Sequence, residues 1–144
     1  MRLLEAGFSP AEALAPFARA HTEQGALASF VGRVRGGPDV KALELSHYAP
    51  LTLPSMEALA EDALGRFDLA GILVHHRVGT MQPGQAIVLV AAAAPHRRAA
   101  FDAVDFAMDH LKSRAWFWKR ERRADGWQWI DPTARDGADL ARWT

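Results

Sequence analysis

Two short apolar runs constrain this chain most. Ile72-Leu73-Val74, which ends in His75-His76-Arg77, and Ala86-Ile87-Val88-Leu89-Val90 stand on either side of a turn from Met81 to Gly84. Each is far below the roughly 20 residues that a membrane-spanning helix needs. Joined by a short Gly/Pro turn, they read as adjacent strands of a hairpin. The second run has no polar alternation, so it reads as a buried strand that other elements must cover.

The cover comes from three stretches with helical spacing. Ser9-Pro10-Ala11-Glu12 is a helix start: the serine can cap free amides, proline suits the first turn, and the glutamate can reach back. Ala13, Leu14, Phe17 and Ala18 then form an apolar face that ends at Gln24-Gly25. A second start lies at Pro50 to Pro54, followed by Met56, Leu59, Ala60, Ala63, Leu64 and Phe67. A third helix is expected from about Arg97 to Lys112, with Ala100, Phe101, Val104, Ala107, Met108 and Leu111 on one face.

Between these lie further strands. Ala26 to Val34 reads as a strand partly buried on both sides. Val40 to Tyr48 alternates, with Leu43 and Leu45 on one face and Glu44 and Ser46 on the other. Trp116 to Arg122 and Trp127 to Ile130 read as a last hairpin. The polar segment from Pro132 to Thr144 is expected to be mobile in isolation. No repeat or linker divides the chain, so residues 1–144 read as one α+β domain.

Composition excludes several kinds of chemistry. The chain has no cysteine, so it carries no disulfide framework, thiolate metal site or cysteine nucleophile. Lys plus Arg and Asp plus Glu both count 17, whereas a protein that coats duplex DNA is usually basic. Any electrostatic site is therefore local. The N-terminus carries acid early and lacks a long apolar run, unlike a signal peptide. A cytoplasmic protein that uses neither membrane nor nucleic acid is the expectation.

Three local clusters could carry chemistry. Pro95-His96-Arg97-Arg98 sits where a buried strand gives way to a helix, and free amides beside forked guanidiniums favour phosphate or carboxylate. A solvated loop explains the same residues. Lys112 and Lys119 flank an aromatic-basic stretch; crowded or buried lysines become usable bases or phosphate clamps, although Lys112 also suits a helix C-terminus. Arg33 and Arg35 end a strand before a glycine loop, from which side chains often reach into sites. His75 and His76 are adjacent in a strand, so their rings point to opposite faces and cannot share one metal. No metal or cofactor site is expected. Five tryptophans suit an interface, a stacking surface or core packing. From the residues alone, an anion-using enzyme competes with a non-catalytic module that binds an anion, a nucleotide or single-stranded nucleic acid. A structural dimer that docks another protein is the third reading.

Taken together, the segments resemble one family. Gly25 to Arg35 is similar to its first strand, and Leu45-Ser46-His47-Tyr48 before a proline and helix is similar to its second segment. His75 to Gly79 with Pro83-Gly84 resembles its central hairpin. Pro95-His96-Arg97 with Ala100-Phe101 resembles its third-helix start. Met108 to Lys112 followed by Phe117 to Glu121 resembles its signature. The family is the molybdopterin synthase large (catalytic) subunit, and the resemblance covers roughly Gly25 to Trp129. It implies an α/β-hammerhead-like fold with an antiparallel or mixed sheet and three main helices. It also implies a central homodimer, with a small ubiquitin-like sulfur-carrier subunit at each end. The carrier threads its C-terminal Gly-Gly thiocarboxylate into the large subunit, and sulfur passes twice to cyclic pyranopterin monophosphate to form the dithiolene. By that resemblance Lys112 and Lys119 are the catalytic residues. Arg35, His96 and Arg97 form the substrate-phosphate pocket, Phe30 and Met108 are its walls, and some of these come from a neighbouring protomer. The chain departs from the family in a short loop after Arg35, in Trp116 where proline is usual, and in Leu51 where methionine is usual.

Overall fold

The computed structural model describes residues 1–37, 39–113, 117–131 and 134–143. The apolar run that opened the sequence reading is longer in the fold than its aliphatic part. Strand β6 spans Ala86–Ala94, and its last seven residues are buried. It pairs antiparallel with β4 (Gly71–Arg77) on one side and with β2 (Ala26–Arg33) on the other. A short strand β1 (Arg2–Leu4) adds parallel to β4, giving a mixed sheet in the order β1-β4-β6-β2. Ala91 to Ala94 are fully buried. Their small side chains let helices lie close to the sheet, which is why a strand so poor in large residues can sit at its centre.

Helices α2 (Ala49–Arg66) and α3 (Arg97–Ser113) pack together over this sheet. Met56, Leu59 and Ala63 of α2 meet Ala103, Phe106, Ala107 and Leu111 of α3, with Val74, Val88 and Val90 of the sheet. Helix α1 (Pro10–Ala20) begins as expected: Ser9 Oγ accepts the Glu12 N–H at 3.3 Å, and Pro10 occupies the first turn. Among the described residues no helix is long and apolar enough to cross a membrane.

The expected hairpin is real in its pairing but not in its connection. Leu73 lies opposite Ala91, yet the chain between the two strands makes an excursion. Gly79 takes φ +90°, a conformation glycine adopts without a Cβ clash, and turns the chain out of the first sheet. Strand β5 (Gly79–Met81) then joins a second, antiparallel sheet in the order β5-β3-β7-β8, with β3 Ala42–His47, β7 Phe117–Arg123 and β8 Gly126–Ile130. Its small core holds Val34, Leu43, Leu45 and Met81, while Ile87 and Phe117 touch both cores. The fold is thus α+β, with one mixed and one antiparallel sheet set side by side.

Two expectations change. Strand β2 was read as partly buried on both sides, but it is an edge strand: Ala28 is buried, while Leu27 and Phe30 are 45% and 42% exposed. The polar segment after Ile130, read as a tail, carries helix α4 (Ala134–Ala141). What secures it follows at once in the chain. Asp109 of α3 accepts hydrogen bonds from Arg142 Nη2 and Trp143 Nε1, both at 2.6 Å, and Trp143 sets its edge against Phe67 and Phe106. Trp116 and its departure from the family pattern lie outside the described residues.

Candidate functional site

The seam between the two sheets holds a cavity of about 340 Å³. Three elements deliver its chemistry. Helix α3 ends beside it, and the helical rise places Met108 and Lys112, four residues apart, on one face. Strand β7 lies between β3 and β8, with Lys119 opposite Leu45 on one side and Ile130 on the other. Strand alternation sends Phe117 and Lys119 inward with Leu43 and Leu45, and sends Trp118 and Arg120 to the opposite face. Strand β2 supplies Phe30 and, past an irregularity at Gly32/Arg33, Arg33 and Arg35. Gly32 fits there because a Cβ would come within 2.9 Å of Val88 Cγ1.

The cavity is electropositive. Arg33, Arg35, Lys112 and Lys119 line it, with Asp136 of α4 as the carboxylate among the described lining residues. Burial holds Lys119 below the usual lysine range and the Lys112 charge adds to that, partly offset by Glu121 and Asp136. A lysine so placed loses its proton more readily than a solvated one, and serves proton transfer better near neutral pH. The apolar walls Phe30, Leu43, Leu45, Met108 and Ile130 reduce solvent screening, which strengthens attraction for a bound anion. Among the described residues no group of His, Asp and Glu could hold a metal ion.

Of the expected site residues, Lys112, Lys119, Arg35, Phe30 and Met108 converge here. His96 and Arg97 do not. They are exposed at the opposite end of α3, and the helical rise from Arg97 to Lys112 separates them by roughly 22 Å. Two titratable residues of the cavity, His76 and Asp136, are not among the site residues expected from sequence. In the sequence His76 stands out only as one of two adjacent histidines that cannot share a metal, and Asp136 falls in the polar segment after Ile130. The alternation of β4 carried a usable signal for His76, since it turns that ring away from His75 and toward the second sheet.

Trp118, Trp127 and Trp129 do not form a stacking groove with Lys112 and Lys119. Arg120 makes a paired bond to Glu44 at 2.8 and 3.0 Å and lies over Trp127 and Trp129, at 4.4 and 5.7 Å from the ring centres. That cluster, with Trp118, covers the outer face of the second sheet. The cavity lysines and these tryptophans therefore lie on opposite faces of the second sheet.

Comparison with known proteins agrees with the geometry. A family model described as MoaE protein matches residues 3–114. The molybdopterin synthase catalytic subunit of Caulobacter vibrioides is 45% identical over 142 residues, covering 98% of this chain and 95% of the relative. Among solved structures, a molybdopterin biosynthesis MoaE protein from Burkholderia ambifaria superposes with a TM-score of 0.84 at 40% identity, over 99% of this chain and 95% of that one. The complex of subunits 1 and 2 of molybdopterin-converting factor from Helicobacter pylori matches with a TM-score of 0.77 at 20% identity, over 93% and 90% of the two chains, and shares the fold.

Proposed function

The chain belongs to the MoaE protein family, and from that premise we propose how its cavity does the work of a molybdopterin synthase catalytic subunit. The enzyme transfers sulfur from the thiocarboxylated C-terminus of a small ubiquitin-like carrier subunit to cyclic pyranopterin monophosphate. In each of two transfers a carbon–sulfur bond forms on the pterin side chain as a carbon–oxygen bond there breaks, the oxygen leaving with the phosphate or as water, and the acyl carbon–sulfur bond of the carrier breaks. Water supplies the oxygen that leaves the carrier as an ordinary carboxylate. The chain has no cysteine of its own, so the carrier brings the sulfur.

One observation carries this reading: two lysines from separate elements, α3 and β7, meet in one cavity walled by Phe30 and Met108 and rimmed by arginines. Both reactants are anions, a thiocarboxylate and a cyclic phosphate, and the cavity offers an excess of cations to both. Lys112, at the end of α3, polarises the acyl group and moves the proton of the transfer. Lys119 holds the partner's C-terminus and the substrate, and its lowered pKa lets it share the proton work. Arg35 takes the phosphate.

His96 and Arg97 belong in this scheme to the site of a second copy. Strand β2 is an unpaired sheet edge with Leu27 and Phe30 exposed, and Gly25 at its start lies against the Pro95 carbonyl. Antiparallel pairing of two such edges sets the start of one strand beside the end of the other. That brings His96 and Arg97 of one protomer toward Arg33 and Arg35 of its neighbour. The reading includes a cytoplasmic setting.

Mixing subunits tests the arrangement. Lys112→Ala and His96→Ala chains, each impaired alone, are refolded together and assayed with thiocarboxylated carrier and the pterin precursor. Recovery toward one quarter to one half of normal turnover in the mixture is expected, because a mixed dimer keeps one intact shared site. No recovery places His96 outside the site. Full activity of Lys112→Ala alone removes Lys112 from catalysis.

A further inference from the structure

His76 lies on the cavity wall, and the proposed transfer reaction gives it no part. Its surroundings are unusually determined. The residue is 6% exposed. Its ring stacks on Phe117 at 4.0 Å between centres with 13° between planes. Its Nδ1 lies 2.9 Å from the Arg77 carbonyl oxygen. A carbonyl only accepts, so Nδ1 carries the hydrogen, and the other nitrogen of a neutral ring is then a lone-pair acceptor. The ring is neutral because burial, above all, pushes its pKa down to about 4, with the Lys112 charge adding to the effect and the Arg77 carbonyl opposing it. Among the described residues no group hydrogen-bonds Nε2, and none bonds or pairs with the Lys112 ammonium. The fold therefore sets a fixed acceptor and a lysine donor on the wall of one cavity.

We propose that His76 is a positioning residue for Lys112: its fixed ring offers Nε2 to the lysine ammonium and holds that group inside the cavity. The chemistry favours a neutral acceptor here. Lys112, Lys119, Arg33 and Arg35 already crowd the space against Asp136. A carboxylate at position 76 would tie Lys112 into an ion pair and quench the field that draws the anionic substrates. A protonated imidazole would repel the lysine. A neutral imidazole orients Lys112 and leaves its charge free for the acyl group. Phe117 serves as the platform that keeps the ring in plane.

This inference rests on the transfer reaction proposed above, and its test separates the two. His76→Phe keeps an aromatic ring on Phe117 but removes the acceptor. His76→Gln restores an acceptor near the same position. In the reconstituted synthase, His76→Phe is expected to lose about 10- to 100-fold in kcat, the range for a hydrogen bond to a charged group. The KM for thiocarboxylated carrier should stay within about twofold, as expected when a group acts in the chemical step alone, and His76→Gln should recover much of the loss. Unchanged kcat in His76→Phe, or equal losses in both variants, overturns the proposal. A silent unsubstituted synthase would count against the reaction, and a second measurement then decides the role of His76. In ¹⁵N spectra of the folded, unsubstituted chain at neutral pH, Nδ1 is expected to be protonated. Nε2 is expected to show a lone-pair shift that moves on Lys112→Ala. A proton on Nε2, or no response to Lys112→Ala, refutes the assignment even where the variants fail to fold.

Discussion

Burial of a neutral His76 ties the stability of this fold to pH. In the unfolded chain a histidine titrates near 6.5, whereas in the folded protein the ring resists protonation down to about 4. The folded-state value is the lower one, so as pH falls the unfolded chain takes up a proton that the folded chain refuses. The stabilisation is fully present above about pH 6.5 and is lost progressively as pH falls toward 4. The gap between the two values corresponds to roughly 3 kcal/mol across that window. This is a large share of the 5–15 kcal/mol typical of a domain. Other groups also contribute to acid sensitivity. Glu44 is held below the usual carboxylate range chiefly by its hydrogen bond from Arg120, and His75 is lowered by burial. Comparing the unsubstituted chain with His76→Phe cancels them, since both chains keep those groups. Urea denaturation at a series of pH values from 8 to 4 should show the stability difference between the two chains shifting by roughly 3 kcal/mol in favour of the phenylalanine variant. A difference that stays constant within about 1 kcal/mol would mean that His76 is not buried neutral, and the argument from its tautomer would fail with it.

Other outcomes follow from the same structure. Trp143→Ala removes the indole bond to Asp109 and the edge contacts with Phe67 and Phe106. For a half-buried tryptophan the cost should be about 2 kcal/mol, read as a lower urea midpoint at unchanged m-value. Gly25→Ala places a methyl 2.4 Å from the Pro95 carbonyl oxygen; an overpacked site of this kind should lose about 1–3 kcal/mol in the same assay. Lys112→Ala removes a positive charge that depresses Lys119, so the Lys119 pKa should rise toward the ordinary lysine range in an NMR titration of its side chain. An unchanged or lower value would mean that the two lysines do not share the cavity.

Local patterns carried much of this fold. The Ser9-Pro10 start, the alternation of β3 and most of the helical face of α3 are written in neighbouring residues and appear where local rules put them, although Phe101, read on that apolar face, is 55% exposed. The strand pairings that build the site depend on distant residues and were harder to read. β5 is three residues long and exists because Gly79 turns the chain between two sheets. β2 looked doubly buried because periodicity does not reveal which strand ends a sheet. α4 has a mostly polar surface, and its anchor lies at Arg142 and Trp143, paired to Asp109 more than thirty positions away. The site divides in the same way. Lys112, Lys119, Arg35, Phe30 and Met108 were legible because the resemblance to a family named them together. His76 was passed over because burial and stacking are properties of the assembled cavity, and two adjacent histidines suggest a metal before they suggest a lysine's partner.

Intact-mass analysis of the carrier subunit during a single turnover tests the central claim most directly. Thiocarboxylated carrier is mixed with this chain and the pterin precursor, and its C-terminus is weighed as product forms. The account predicts that one sulfur is replaced by one oxygen on each carrier consumed, in step with appearance of the dithiolene product, and that Lys112→Ala stops both while still binding the carrier. Carrier that keeps its sulfur in the presence of the unsubstituted chain, or loses it equally fast with Lys112→Ala, would contradict it.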